Sequence, residues 1–147
     1  MKTIPLGCSL LLAGLVSALA DPTPPQMFQA MLENVTLNGT WAPVAEGAVG
    51  EDRKDGYHIV RAVHRKENRW HIVSRIKHKG KLVDFPIPVE VYFAYDTAVM
   101  VLDNVPVGDG STWSARILFY DAVYTGSWWS PDQKKSGIVS GTITRNE

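Results

Sequence analysis

Cysteine is almost missing from this chain: Cys8 is the only one among 147 residues. One thiol can form neither an internal disulfide nor a thiolate metal cluster. Long apolar runs are scarce too. The strongest lies around residues 10–16 and falls short of the ~20 residues that span a bilayer. Net charge is also absent, with 15 Lys plus Arg set against 15 Asp plus Glu. There is no Gly-x-Ser-x-Gly elbow, no His-Glu-x-x-His pair and no phosphate-binding loop. A serine-elbow hydrolase, a zincin and a P-loop enzyme lose their sequence support on that ground. The reading is non-enzymatic, with no catalytic residue, cofactor or metal expected.

What the N-terminus does contain is a three-part export pattern. Lys2 supplies positive charge. Leu10, Leu11, Leu12, Leu15 and Val16 supply an apolar stretch, and Ala18-Leu19-Ala20 supplies small side chains before a cleavage point. Residues 1–20 are therefore expected to be a signal peptide, with the exported chain starting near Asp21. Pro22, Pro24 and Pro25 follow at once and cannot continue a helix, because proline lacks an amide donor. Cleavage there removes Cys8 and the apolar run together. The remainder is expected outside the cytoplasm, secreted or periplasmic, with no stable membrane anchor. Such a domain has no staples, so its stability rests on its core. Five Trp, five Tyr and four Phe are available to build one.

Charge is balanced in total but not in place. Residues 53–81 hold ten Lys and Arg, from Arg53 to Lys81, whereas residues 84–132 are mainly acidic. A basic stretch of this kind is usually solvated surface, and it can also attract an anionic partner.

Residues 24–33 read as a short helix. Met27, Phe28, Met31 and Leu32 form one apolar stripe, and proline suits the first turn. Period-two alternation takes over from there. Strands are expected at about 35–43, 57–65, 69–78, 82–95, 97–102, 112–120, 123–129 and 137–145. A glycine-rich loop through Asp55-Gly56 separates the first two. Val83, Phe85, Ile87, Val89, Val91, Phe93 and Tyr95 all fall on one face of the fourth strand, and Pro86 and Pro88 require an edge or kink there. Eight strands with short connections predict an all-β, up-and-down antiparallel barrel, which leaves no exposed edge. A β-sandwich is the alternative. The domain plan is a linker and helix over 21–34, then one β domain over 35–147.

Gly39-Thr40-Trp41 on the first strand, the short helix before it, and Arg145 at the end of the last strand together resemble the lipocalin-like, or calycin, barrel. That resemblance implies a closed-end pair in which Arg145 covers the Trp41 indole. An eight-stranded barrel is just wide enough to be filled by side chains or to hold one small ligand. Leu118-Phe119-Tyr120-Asp121, Tyr124-Thr125-Gly126-Ser127-Trp128 and Gly137 to Gly141 resemble small exported bacterial proteins of planctomycete type.

A hairpin turning at Glu67-Asn68 would set Arg61 opposite Ser74 and His64 opposite His71. Arg61 then points inward among Tyr57, Trp70 and Ser74. An inward arginine must be paired, so Arg61 with Ser74 is the expected anchor for a small apolar or anionic amphipathic ligand, with Tyr57 and Trp70 beside it. The other reading is a structural or protein- or glycan-interaction domain with a filled core, using the basic hairpin 57–79 or exposed aromatics such as Trp129. His64 and His71 make only two ligands, an incomplete metal site. Asp103, Asn104 and Asp109 lack calcium-loop spacing. Asn34 and Asn38 head glycosylation sequons, which matter only in a eukaryotic secretory pathway. No nucleic-acid partner is expected.

Overall fold

The computed structural model describes residues 20–106 and 110–147. The expected signal peptide falls almost wholly outside them. One helix, α1 (Pro24–Met31), precedes nine strands: β1 (Val35–Ala45), β2 (Ala48–Val49), β3 (Arg53–Lys66), β4 (Arg69–His78), β5 (Lys81–Ala94), β6 (Thr97–Pro106), β7 (Thr112–Tyr120), β8 (Val123–Trp129) and β9 (Ser136–Arg145). Sequential strands pair antiparallel, apart from the two-residue β2, which is a hairpin appendage on β1. Ten residue pairs, from Val35–Arg145 to Val44–Ser136, join β1 to β9 and close the sheet. The fold is thus the expected closed, eight-stranded antiparallel barrel, not a sandwich.

Closure demands strong coiling where β1, β9 and β8 meet, and small residues allow it. A Cβ on Gly141 would lie 2.3 Å from the Asn38 carbonyl oxygen, and one on Gly39 would lie 2.2 Å from that of Ser140. Neither position can carry a side chain without moving backbone.

The helix plugs one end of the barrel. The Thr23 amide donates to Gln26 Oε1 at 2.8 Å, which satisfies one donor at the helix start. Phe28 and Leu32, four residues apart, share a face and are each 1% exposed. Phe28 meets the rings of Trp70, Phe93 and Phe119 edge-on at 5.3–6.2 Å. Complete burial of one such side chain contributes about 2 kcal/mol. At the other end of α1, the Arg145 guanidinium donates to the carbonyls of Ala30 and Glu33 at 3.1 and 3.0 Å. Ala30 lies in the last turn and Glu33 just past it, so Arg145 caps the helix end beside the Glu33 amide, which also donates to the Ala30 carbonyl at 3.4 Å.

From this plug the core continues along the axis as one packed cluster. It runs through Val35, Leu37, Ile59, Ile72, Val91, Ile117, Tyr124 and Val139, with Trp41, Leu102 and Trp128 packed against it. At the far end Trp128 meets Trp41 and Trp113 edge-on at 5.6 and 5.0 Å.

Candidate binding site at the open end

The barrel wall is complete around the plug and incomplete at the opposite end. β3 and β4 pair from their turn as far as His58 and Arg75. Beyond that point β3 pairs only with β1, down to Arg53 opposite Trp41. On the other side, β5 pairs with β6 only from Glu90 to Ala94. Residues 76–78 of β4 and 81–83 of β5 therefore bond only to each other, a two-stranded arm free on both flanks, while residues 84–89 of β5 pair with 70–75 of β4 and lack a partner only on the β6 side. Pro86 and Pro88 lie in the part of β5 that has no β6 partner, where two missing amide donors cost nothing and discourage stray strand pairing. Lys79 and Gly80 close the arm with φ of 49° and 78°, the left-handed conformation a tight hairpin requires.

Residues opposite one another in an antiparallel pair share a face. The arm's inner face thus carries, from base to tip, Ser74 with Phe85, Ile76 with Val83, and His78 with Lys81. Phe85 is 47% exposed and Ile76 40%, although both continue the face that buries Trp70 and Ile72 lower down. Tyr57 faces them across the gap and is 45% exposed. The outer face carries an ion pair at the base of the arm. Arg75 grips Asp84 through two hydrogen bonds of 2.7 and 3.0 Å. The Arg75 guanidinium holds the Asp84 carboxyl below the usual carboxylate range.

Inside the wall next to the gap sits an acid that the alternation of the sequence did not bring forward. The first expected loop is partly strand: β3 begins at Arg53, four residues before Tyr57. Asp55 lies opposite Gly39, hence on the inner face, and Arg53 lies 4.9 Å over the Trp41 ring. The Tyr57 hydroxyl donates to Asp55 Oδ2, and the Gly56 amide donates to Oδ1 at 2.9 Å. Burial, then the Asp55 hydrogen bond and charge, push the Tyr57 phenol well above its ordinary pKa. The Tyr124 hydroxyl, packed on Gly39 and Gly141, is buried without a partner, and burial raises its phenol too. The missed signal was simple: the period-two pattern runs back from Tyr57 to Asp55 and Arg53.

The expected ligand anchor is not assembled. A bulge between Ile59 and Arg61 shifts the register, so Arg61 pairs with Val73 and Ser74 with Ile59. Ile59 and Ala62 then both face the core, and Arg61 is exposed on the outside. Ser74 is buried, but its hydroxyl donates to the His58 carbonyl at 3.1 Å and latches β4 to β3 just below the fork. Trp70 is 1% exposed and belongs to the plug, stacked 4.5 Å from His64. Of the four, Tyr57 alone borders the gap. A second irregularity, between His64 and Lys66, sets His64 opposite Trp70 and His71 opposite Val63. The two histidines fall on opposite faces.

The expected closed-end pair is also corrected. Trp41 lies opposite Val139, six residues along β1 from the Val35–Arg145 pair, about 20 Å away at the rise of a strand. Arg145 serves the helix, and the cation over Trp41 is Arg53. Trp129 is half-buried under the Arg116 guanidinium at 5.1 Å, and Arg116 also bonds Asp103 at 2.9 Å. Asp109 lies outside the described residues. Asn34 and Asn38 are exposed.

Comparison with protein-family models, with curated proteins and with solved structures finds no match. No described helix is long and apolar enough to cross a membrane.

Proposed function

We propose that this is an exported, lipocalin-like, non-catalytic binding protein that takes an anionic amphiphile under the β4–β5 arm, not along the barrel axis. One observation carries the reading. Tyr57, Ile76, Val83 and Phe85 face the barrel side of the wall yet remain open to water, because β4 has no β3 partner beyond Arg75 and β5 has no β6 partner before Glu90. Exposed apolar side chains grouped on a concave side are the usual mark of a binding surface. The packed cluster on the axis leaves the gap as the better seat for an apolar chain. Charge sets the direction. Asp55 repels an anionic head from the inner end, and His78 with Lys81 attract it at the tip.

The test is titration with palmitate, read by displacement of 1-anilinonaphthalene-8-sulfonate. Saturable binding is expected, weakened more than tenfold by Phe85→Asp and unchanged by Arg61→Ala. Absence of saturable binding, or indifference to Phe85→Asp, overturns the proposal. The packed axis also favours a second reading, a filled domain that meets a macromolecular partner. Failure of palmitate would shift weight to it.

A further inference from the structure

We infer that the tip of the β4–β5 arm is a docking element for an anionic lipid surface. This inference stands whether or not an amphiphile occupies the gap. The tip combines two features that seldom coincide on a solvated turn. Lys77, His78, Lys79 and Lys81 crowd the last turn of the arm, with no acid between Lys77 and Asp84. Among them Leu82 is 71% exposed, packed on nothing that shields it. Leu82 lies opposite Lys77 on the outer face, and Lys81 opposite His78 on the inner face, so positive charge surrounds the leucine on both sides.

Among the described residues, none of the four ion pairs involves this cluster. Arg75 is engaged by Asp84 at the base of the arm, and the others, Lys66–Glu67, Arg116–Asp103 and Lys134–Asp132, lie elsewhere. The lysines therefore keep their charge for an outside partner. Around the start of β3, on the opposite side of the gap, Glu46, Glu51, Asp52 and Asp55 outnumber Arg53 and Lys54. An anionic surface repels that side and attracts the tip, which sets a tip-first approach.

A lipid surface fits better than a soluble polyanion because of Leu82. A polyanion satisfies lysines and gains nothing from an exposed leucine. An anionic bilayer satisfies both, taking the ammonium groups at headgroup level and the isobutyl group below them. The arm is also free on both edges, so its tip can reach a surface without the barrel having to lie flat on it.

The experiment is co-sedimentation of residues 21–147 with vesicles of equimolar phosphatidylglycerol and phosphatidylcholine, with pure phosphatidylcholine vesicles beside them. Binding to the anionic vesicles alone is expected, weakening as salt rises. Lys79→Ala and Lys81→Ala should each lower the partition coefficient about fivefold, the worth of one basic residue near such a surface. Leu82→Asn should lower it by about tenfold or more, as loss of a buried leucine side chain requires. Circular dichroism and the melting midpoint check that each variant remains folded. No partition into anionic vesicles overturns the inference. So does partition that ignores Leu82→Asn while heparin competes for the same lysines, since that pattern marks a polyanion site. Phe85→Asp separates this inference from the ligand reading. It should weaken palmitate binding in vesicle-free solution more than tenfold and leave vesicle binding in place.

Discussion

β4 and β5 each live two lives. Near the plug, Trp70 and Ile72 on β4 and Val89 and Val91 on β5 are buried. Farther along the same strands, in the same alternation, Ile76, Val83 and Phe85 stand in water. Nothing in the side chains separates the two halves. What changes is the company: β3 flanks β4 only as far as Arg75, β6 flanks β5 only from Glu90 and α1 packs at the plug, so Ile76 and Val83 have neither strand beside them and Phe85 lacks β6. Alternation fixes which way a side chain points. Burial depends on whether other elements arrive on that side.

The sharpest way to break the comparison is to truncate one phenylalanine in each half. Phe28→Ala removes the ring at the centre of the plug and should cost about 3–5 kcal/mol, the usual penalty for emptying a buried aromatic site. Phe85→Ala on the arm should cost about 1 kcal/mol or less, because a half-exposed ring has already forgone much of its burial energy. Urea unfolding of both variants gives the two numbers directly. Comparable losses would mean that the arm folds onto the barrel in solution.

The same contrast explains how much was legible in the sequence. The barrel, the helix and the inward face of the fourth expected strand followed from periodicity. Pro86 and Pro88 marked an edge, and the edge is there. Tyr95, expected on the same face, lies instead in the turn at φ 58° and is 95% exposed. The site was less legible, because two bulges in β3 decide it. One extra residue near Val60 reverses the facing of Arg61, and another near Arg65 separates His64 from His71. Arg53 and Asp55 were hidden by the glycine beside them. Gly56 reads as a loop, yet it pairs with Asn38 as strand.

Tyrosine ionisation gives a second, smaller comparison between the halves. Tyr124 is 3% exposed in the packed core, and Tyr57 borders the gap. Both phenols are pushed above their ordinary pKa of about 10, with burial the leading cause in each and Asp55 adding to it. The folded chain therefore holds these protons to higher pH than the unfolded chain does. Stability should be intact below pH ~10 and fall as the pH rises past it. Absorbance titration at 295 nm should show late-ionising phenols in the folded protein that vanish in urea. Asp55→Asn should bring Tyr57 down more than Tyr124, because only Tyr57 donates to that carboxylate. Equal shifts would mean that the two rings share one environment, and the gap would lose its special standing.

The smallest expected effect lies on the arm's outer face. The Asp84 carboxyl is held below the usual range first by its hydrogen bonds from Arg75, then by that charge and by Arg61 and His58. A depressed carboxylate contributes its stability in full above the unfolded value of about 3.9, and the contribution is lost as pH falls through the folded value. The pair is solvent-facing, so screening should keep its effect on the whole domain slight. Its effect on the arm is different, because an element bonded only to itself has few other contacts to hold its pairing. In Asp84→Asn, amide exchange should quicken at residues 76–83 and stay unchanged around Trp70 and Val91. Acid should do the same to the native chain once Asp84 protonates. Protection lost equally in both halves would show that the arm and the plug open as one unit, and that the split in the wall has no consequence for how the molecule moves.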